Sequence, residues 1–148
     1  ARGWGSGDIN GRSRECETSG MPVHTEIVQV DTMTGVVVYE TSQVKEAARI
    51  AAEFGADFVK TNYTGSPETF RDVVESCRIP IVILGGARMA DDESVLENAK
   101  GAIDAGAAGV AFGRNIFQHR NPTAMTRAIA SIIHGNAGVR EAMQELKQ

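Results

Sequence analysis

The fold is decided by residues 55–67, Gly-Ala-Asp-Phe-Val-Lys-Thr-Asn-Tyr-Thr-Gly-Ser-Pro, which predict a short strand, a loop and the start of a helix. Side chains along a strand alternate between its two faces, so Phe58 and Lys60 are expected to share one face. Ser66 is a favourable N-cap and Pro67 a favourable first helical residue. The stretch therefore predicts one βα unit whose strand ends in a lysine.

Lys60 has two interpretations on this strand. A lysine on a core strand is costly unless its charge is paired or neutralised. In the first interpretation the side chain only extends from the strand end to water, as most lysines do. In the second it is a desolvated amine that gives up its proton and forms a Schiff base with a carbonyl substrate. The residues outside this stretch favour the second interpretation.

Short apolar strands and helical patterns alternate along the rest of the chain. Strands that are apolar on both faces and are separated by helices are typical of a parallel sheet covered by helices, so the sequence predicts an α/β fold. The run 36–39 is either a hairpin partner of the first strand or part of a loop, and Gly135 is a predicted helix cap. The predicted strands are 21–30, 56–60, 80–84 and 108–112, and the predicted helices are 41–54, 67–76, 93–106, 122–134 and 139–147.

The chain divides into a short first segment and one larger domain. Residues 1–20 are expected to form a poorly structured start or a helix remnant over 12–18 that stops at Gly20. Residues 21–148 are expected to form one domain, because 148 residues can bury a substantial core. The first residue is alanine rather than methionine, which favours a processed or partial chain.

Composition excludes several classes of protein. The net charge of −4 gives no electrostatic reason to expect nucleic acid as a partner. No apolar run approaches the ~20 residues that span a bilayer, so we expect no membrane partner. Reduced thiols are the default for a chain with two cysteines, so we expect a cytoplasmic location. The two cysteines, Cys16 and Cys77, make neither a disulfide framework nor a metal site. His119 and His134 are not at metal-binding spacing, so neither a metal nor a cofactor is expected.

Two further patterns have structural explanations. Asp91 and Asp92 are expected to cap the helix that follows them rather than bind a cation. The amphipathic helix at 122–134 is expected to pack on the sheet rather than on a membrane.

Three successive predicted strands end in residues that can do chemistry. They end in Lys60-Thr61, in Gly85-Gly86 and in Gly113-Arg114-Asn115. Functional groups of parallel βα folds lie at the carboxyl ends of the strands. Glycine turns let backbone N–H groups approach a phosphate, and an arginine adds a charge-assisted contact. Alternatively, the glycines serve only to make tight turns.

His24 and Glu26 are two residues apart on the first predicted strand, so they share a face. Either side chain could enter a site at this sheet. A solvent-facing polar side of the strand is the simpler explanation for both of them.

Three motifs make residues 47–146 resemble a known family. They are Gly-Ala-Asp-Phe-Val-Lys-Thr-Asn-Tyr-Thr-Gly (55–65), Ile-Leu-Gly-Gly-Ala-Arg (83–88) and Ala-Gly-Ala-Ala-Gly-Val-Ala-Phe-Gly-Arg-Asn-Ile-Phe-Gln-His (105–119). The chain resembles the archaeal-type class I fructose-bisphosphate aldolases. It also resembles their relative, 2-amino-3,7-dideoxy-D-threo-hept-6-ulosonate synthase.

The resemblance implies a fold and a site. It implies a (β/α)8 TIM barrel in which Lys60 forms the Schiff base on the sixth strand. It also implies that Gly85, Gly86, Gly113 and Arg114 bind substrate phosphate. Such barrels need about 250 residues, so we expect the C-terminal portion of a barrel, about its last four βα units. Half a barrel has two open sheet edges, from which we expect a homo-oligomer.

The sequence departs from the family at one catalytic position. The family has a tyrosine in a Tyr-Pro-Arg-Gly turn on the strand that begins Gly-Met-Pro. Residues 20–22 are Gly-Met-Pro, but the tyrosine position falls at Val28. A proton-transfer group is still required. Glu26 and His24 are the candidates on strand position alone, and the alternative is a group in the missing half of the barrel.

The resemblance implies an aldehyde-lyase that cleaves or forms a carbon–carbon bond in a phosphorylated ketose such as fructose 1,6-bisphosphate, as in glycolysis and gluconeogenesis. One alternative is the transaldol transfer of the heptulosonate synthase, which uses the same lysine. Another is a phosphosugar-binding domain without catalysis, or an inactive fragment.

Overall fold

A computed structural model describes the backbone of residues 6–147 and the side chains of residues 13–147. Strands and helices alternate through most of this range, as the sequence predicts. The elements are α1 (Ser6–Ser19), β1 (His24–Glu26), α2 (Thr41–Glu53), β2 (Phe58–Thr61), α3 (Pro67–Ser76), β3 (Ile81–Leu84), α4 (Asp92–Asp104), β4 (Gly109–Ala111), α5 (Arg114–Phe117), α6 (Pro122–Gly135) and α7 (Val139–Glu145).

The four strands form one parallel sheet in the order β1-β2-β3-β4. One row across the sheet pairs Glu26 with Lys60, Lys60 with Val82, and Val82 with Gly109. Consecutive strands are neighbours, so each helix between them crosses from one strand to the next. The predicted α/β fold with a parallel sheet is confirmed.

Helices cover one face of this sheet. Val59, Ile81 and Ile83 point to that face and are buried, with Phe70 of α3, against α2, α3 and α4. A second core fills the space between α4, α6 and α7; its largest members are Leu96, Met125, Ile129 and Ile132. The opposite face of β2 and β3 carries Phe58, Lys60, Val82 and Leu84, which are all only partly buried. Within the described residues, this second face is therefore the more open one.

The helix starts follow the caps that the sequence predicts. The Ser66 side chain accepts a backbone N–H hydrogen bond of 3.3 Å, and Pro67 is the first residue of α3. Asp91 likewise accepts a backbone N–H hydrogen bond of 2.7 Å and caps α4. Asp92 is the first residue of that helix and not its cap.

One prediction about a helix end was wrong, and one short helix was not predicted. The sequence predicts Gly135 as a cap, but α6 includes Gly135, and Asn136 adopts the left-handed backbone at φ +52°. Asparagine tolerates that conformation because its short polar side chain bonds locally. The helix α5 was not predicted, since a single turn of four residues has no measurable apolar period.

The first predicted strand was too long. The pattern predicts a strand over 21–30, but β1 contains three residues. Beyond it, Val30 and Val37 form an isolated antiparallel bridge, so the run 36–39 is a short hairpin partner. The turn between them is held by Asp31, whose side chain accepts backbone N–H bonds from the residues two and three positions ahead. These bonds lower the pKa of Asp31.

The first segment contains a helix. The sequence allowed either a poorly structured start or a helix remnant there. This helix, α1, is followed by Gly20 with a left-handed backbone at φ +65°. Residues 1–5 lie outside the described part of the chain. Among the described residues, no helix has the length and apolar character that a membrane crossing requires.

Candidate active site

Lys60 lies on the more open face of the sheet, one residue before the end of β2. Its Nζ donates a hydrogen bond of 2.8 Å to Oε2 of Glu26, the residue directly opposite it on β1. The Lys60 side chain is 22% exposed and that of Glu26 is 47% exposed. Lys60 is therefore partly buried, reachable from solvent and paired with a carboxylate.

This pairing differs from both interpretations of Lys60. The amine neither extends free into water nor stands desolvated without a counter-charge, because Glu26 compensates the burial of its charge. Sequence spacing could not show the pairing, since the register between β1 and β2 depends on how the two strands meet. The arrangement holds an amine and a carboxylate in direct contact at the open face.

His24 lies on the same strand face but makes a different contact. Its ring stacks on that of Phe58, with centroids 5.4 Å apart and an interplanar angle of 21°. His24 pairs in register with Phe58, towards the amino end of the strands, whereas Glu26 pairs with Lys60. The structure therefore brings Glu26, and not His24, into contact with the amine.

The two glycine turns follow the next two strands. Gly85 and Gly86 come directly after β3, and Gly113 precedes α5, whose first residue is the exposed Arg114. A Cβ atom built on Gly85 would lie 2.9 Å from Cδ1 of Phe112, so no larger residue fits there without movement. The two turns are therefore adjacent at the carboxyl edge of the sheet.

Asn115 joins these two turns; the sequence pattern places it at a strand end with useful chemistry but indicates no role of its own for it. It is 4% exposed, and its Nδ2 donates to the backbone oxygens of Gly85 at 2.8 Å and Ala87 at 3.3 Å. Its Oδ1 accepts from the backbone N–H of Met89 at 2.8 Å. One buried side chain thus fixes the loop after β3 against the start of α5. The signal in the sequence was a short amide residue directly after Gly-Arg at a strand end.

Asn62 is a second polar residue that sequence reasoning missed. It follows Lys60 by two residues and is 2% exposed. Its Nδ2 has no hydrogen-bond partner among the described residues. Buried amide donors are paired in most proteins, so this one is a notable feature beside the lysine strand.

His119 is buried and joins two helix starts. Its Nε2 lies 3.1 Å from Oδ2 of Asp92 at the start of α4. Its Nδ1 lies 3.0 Å from the backbone nitrogen of Asn121, the cap of α6. Among the described side chains, no group of three His, Cys, Asp or Glu residues is arranged to hold a metal ion.

The described residues form an α/β fold whose parallel sheet carries a lysine paired with a glutamate near its carboxyl edge. A family model described as DeoC/LacD family aldolase matches residues 7–119, which is more than half of the chain. This chain therefore belongs to the DeoC/LacD family of aldolases, and the resemblance to class I aldolases is confirmed.

Two curated relatives carry different activities in their names. A 2-amino-3,7-dideoxy-D-threo-hept-6-ulosonate synthase of Halobacterium salinarum is 43% identical over 109 residues, which are 74% of this chain and 41% of that protein. A 3-hydroxy-5-phosphonooxypentane-2,4-dione thiolase of Klebsiella pneumoniae is 50% identical over 98 residues, which are 66% of this chain and 32% of that protein. Family membership alone therefore does not specify the reaction.

A solved structure is similar in fold and sequence. It is an archaeal fructose-1,6-bisphosphate aldolase with its catalytic lysine covalently bound to the carbinolamine intermediate of the substrate. The TM-score is 0.79 and the identity 31%, over 86% of this chain and 51% of that one. The chain thus spans about half the length of this aldolase, and less than half of each of the two curated relatives.

Proposed function

We propose that this chain carries the Schiff-base site of a class I aldolase that cleaves or forms a carbon–carbon bond in a phosphorylated ketose. The observation that carries the proposal is the half-buried amine of Lys60 in contact with Glu26, at the carboxyl end of a parallel sheet. Family membership supports aldolase chemistry, and the related structure contains a lysine bound covalently to substrate.

In this proposal Lys60 is the nucleophile. Its neutral amine attacks the ketone carbon and, after loss of water, forms a protonated imine. The imine draws electrons from the bond between its α carbon and its β carbon. A general base takes the proton of the hydroxyl group on the β carbon, that bond breaks, an aldehyde leaves, and an enamine remains on Lys60. Proton transfer returns the enamine to the imine, and water then releases the second product.

The substrate phosphate is proposed to bind at the two glycine turns. The backbone N–H groups of Gly85, Gly86 and Gly113 would approach the phosphate oxygens, and the exposed Arg114 would add a charge-assisted contact. Asn115 supports this assignment, because its bonds to the Gly85 and Ala87 carbonyl oxygens keep the two turns together.

We further propose that the four βα units are the last four of a (β/α)8 barrel. Two observations support this. The face of the sheet that carries Lys60 is less covered than the helix-covered face. The similar archaeal structure matches 86% of this chain with only 51% of its own length. The open face would then line the barrel interior.

A second candidate is the transaldol transfer of the heptulosonate synthase. It is favoured by the 43% identical relative of that name. Both reactions use a lysine enamine, and they differ in the acceptor that receives the carbon fragment. Cytoplasmic location and homo-oligomer formation stay predictions from sequence.

Release of aldehyde from fructose 1,6-bisphosphate by the full-length protein tests the proposed function. We expect Lys60→Ala and Lys60→Arg to abolish release, because neither side chain can form the imine. Lys45→Arg, on the exposed side of α2, is the matched control and should leave the rate unchanged. Release by Lys60→Ala at the normal rate would exclude the proposed site. Transfer to an added aldehyde, with none released, would establish the second candidate.

A further inference from the structure

The contact between Glu26 and Lys60 is suited to proton transfer as well as to charge pairing. Oε2 of Glu26 lies 2.8 Å from Nζ, within the distance over which a proton moves directly. The carboxylate is the more exposed of the two groups, so it can also reach a molecule bound at the open face. The register between β1 and β2 places Glu26 directly opposite Lys60.

We infer that Glu26 is the proton-transfer residue for imine formation at Lys60, an inference that rests on the proposed function. Three positions compete for this role. Val28, where the family resemblance expects a tyrosine, has no ionisable group. His24 stacks on Phe58 and lies two residues further than Glu26 from the carboxyl end of the strand. Among the described residues, Glu26 is the ion-pair partner of the amine.

The proton balance can be written out for one imine. The Glu26 carboxylate takes a proton from the Lys60 ammonium, which leaves a carboxylic acid and a neutral amine. The nitrogen lone pair forms a bond to the ketone carbon, and the carbonyl π electrons move to oxygen. A proton passes from nitrogen to that oxygen and gives a neutral carbinolamine.

The second half of the cycle returns the proton. The Glu26 carboxylic acid donates its proton to the carbinolamine hydroxyl, the carbon–oxygen bond breaks, and water leaves. The nitrogen lone pair completes the carbon–nitrogen double bond. Glu26 is again a carboxylate, and the net reaction converts an ammonium and a ketone into a protonated imine and one water.

Glutamine separates this role from a purely structural one. In Glu26→Gln the amide oxygen still accepts a hydrogen bond from Nζ, so the contact that positions Lys60 is retained. The amide cannot take the proton, however. A structural ion pair at a partly exposed position contributes little to stability, so a large loss of rate without a loss of fold identifies proton transfer.

The test measures the rate at which dihydroxyacetone phosphate becomes attached to Lys60 in the full-length protein, by rapid quenching with borohydride and peptide mass spectrometry. We expect Glu26→Gln to slow attachment about 100-fold or more, the usual range for loss of a general acid–base group. Glu46→Gln, the same change at an exposed site on α2, should react at the normal rate.

Chemical rescue supplies a second readout. In Glu26→Ala, added formate should restore the attachment rate in proportion to its concentration, because formate can carry the proton in place of the side chain. A structural role predicts no such dependence.

The outcomes separate the inference from the proposed function. No adduct in the unaltered protein would overturn the proposed function and, with it, the role of Glu26. Normal attachment in Glu26→Gln would overturn the inference and leave the Schiff base intact. Absence of formate rescue, or a greater loss in His24→Gln than in Glu26→Gln, would also overturn it.

Discussion

Asn115 shows how one buried side chain can organise a site built from backbone groups. Backbone N–H groups bind a phosphate only if the turns that carry them hold their positions, and glycine turns have little rigidity of their own. Asn115 supplies that rigidity through three hydrogen bonds to residues 85, 87 and 89. It acts through the turns, so it is a positioning residue in the proposed site.

Replacing Asn115 tests this role. Asn115→Ala leaves two carbonyl oxygens and one N–H without their partner, so we expect a loss of roughly 1–3 kcal/mol in unfolding free energy. The KM for the phosphorylated substrate should rise more than kcat falls, because the turns and not the amine are disturbed. Urea unfolding and steady-state kinetics measure the two effects. Gln43→Ala, at an exposed position on α2, is the control, and equal effects in both variants would contradict the role.

Single residues were predicted well where the information is local. Face alternation on β2 correctly separates the buried Val59 from the less buried Phe58 and Lys60. The partners of Lys60 and Asn115 could not be predicted, because they lie 34 and 26–30 residues away along the chain. Such contacts depend on strand register and loop geometry, which local periodicity does not encode.

At the scale of elements, the loop that follows β2 packs closely against α4. Tyr63 lies in that loop, and its ring packs edge-on against Phe70 with centroids 5.3 Å apart. Its hydroxyl lies over Gly101 in the middle of α4. Burial raises the pKa of Tyr63 to about 12, with smaller contributions from the charges of Glu68 and Asp104.

Gly101→Ala should therefore destabilise the protein although alanine normally favours a helix by about 1 kcal/mol over glycine. A Cβ at this position would overlap Oη of Tyr63 and lie 2.9 Å from its Cζ, so the ring must move. We expect a net loss of roughly 1–3 kcal/mol, as for other overpacked sites. Thermal or urea unfolding measures it.

Two further variants control for this effect. Gly135→Ala makes the same change in α6, where nothing lies within 4 Å of the added Cβ, and it should be neutral or stabilising. Tyr63→Phe removes the hydroxyl, so the cost of Gly101→Ala should shrink in the double variant. Additive effects of the two substitutions would contradict the predicted contact.

Elements with strong periodicity or clear caps were predicted, and irregular ones were not. The helices α3 and α6 start at the predicted prolines because each has a capping side chain directly before it. The first strand was predicted too long because Val28 and Val30 are apolar without belonging to the sheet. Apolar content alone cannot distinguish a strand from a hairpin-like loop that follows it.

At the scale of the whole molecule, the described sheet ends in two edges. Within residues 6–147, β1 pairs only with β2, and β4 only with β3. Unpaired strand edges invite pairing with another chain. The sequence patterns predicted the parallel α/β fold correctly. The partial barrel and its assembly stay proposals, because both depend on strand pairing beyond the contacts within the described residues.

The 148-residue chain produced on its own should associate. We expect light scattering to give a mass above the monomer's 15.8 kDa, because edge pairing would cover β1 and β4. The control is the same measurement across a tenfold dilution, over which the average mass of an associating chain should fall. A stable monomer at every concentration would contradict this prediction.

The central claim is that Lys60 forms a Schiff base, and the most direct measurement is borohydride trapping with dihydroxyacetone phosphate, read by peptide mass spectrometry. The account predicts a reduced adduct on the peptide that contains Lys60, and none in Lys60→Ala. A protein shown by circular dichroism to be folded, yet carrying no adduct or carrying it on another lysine, would contradict the account.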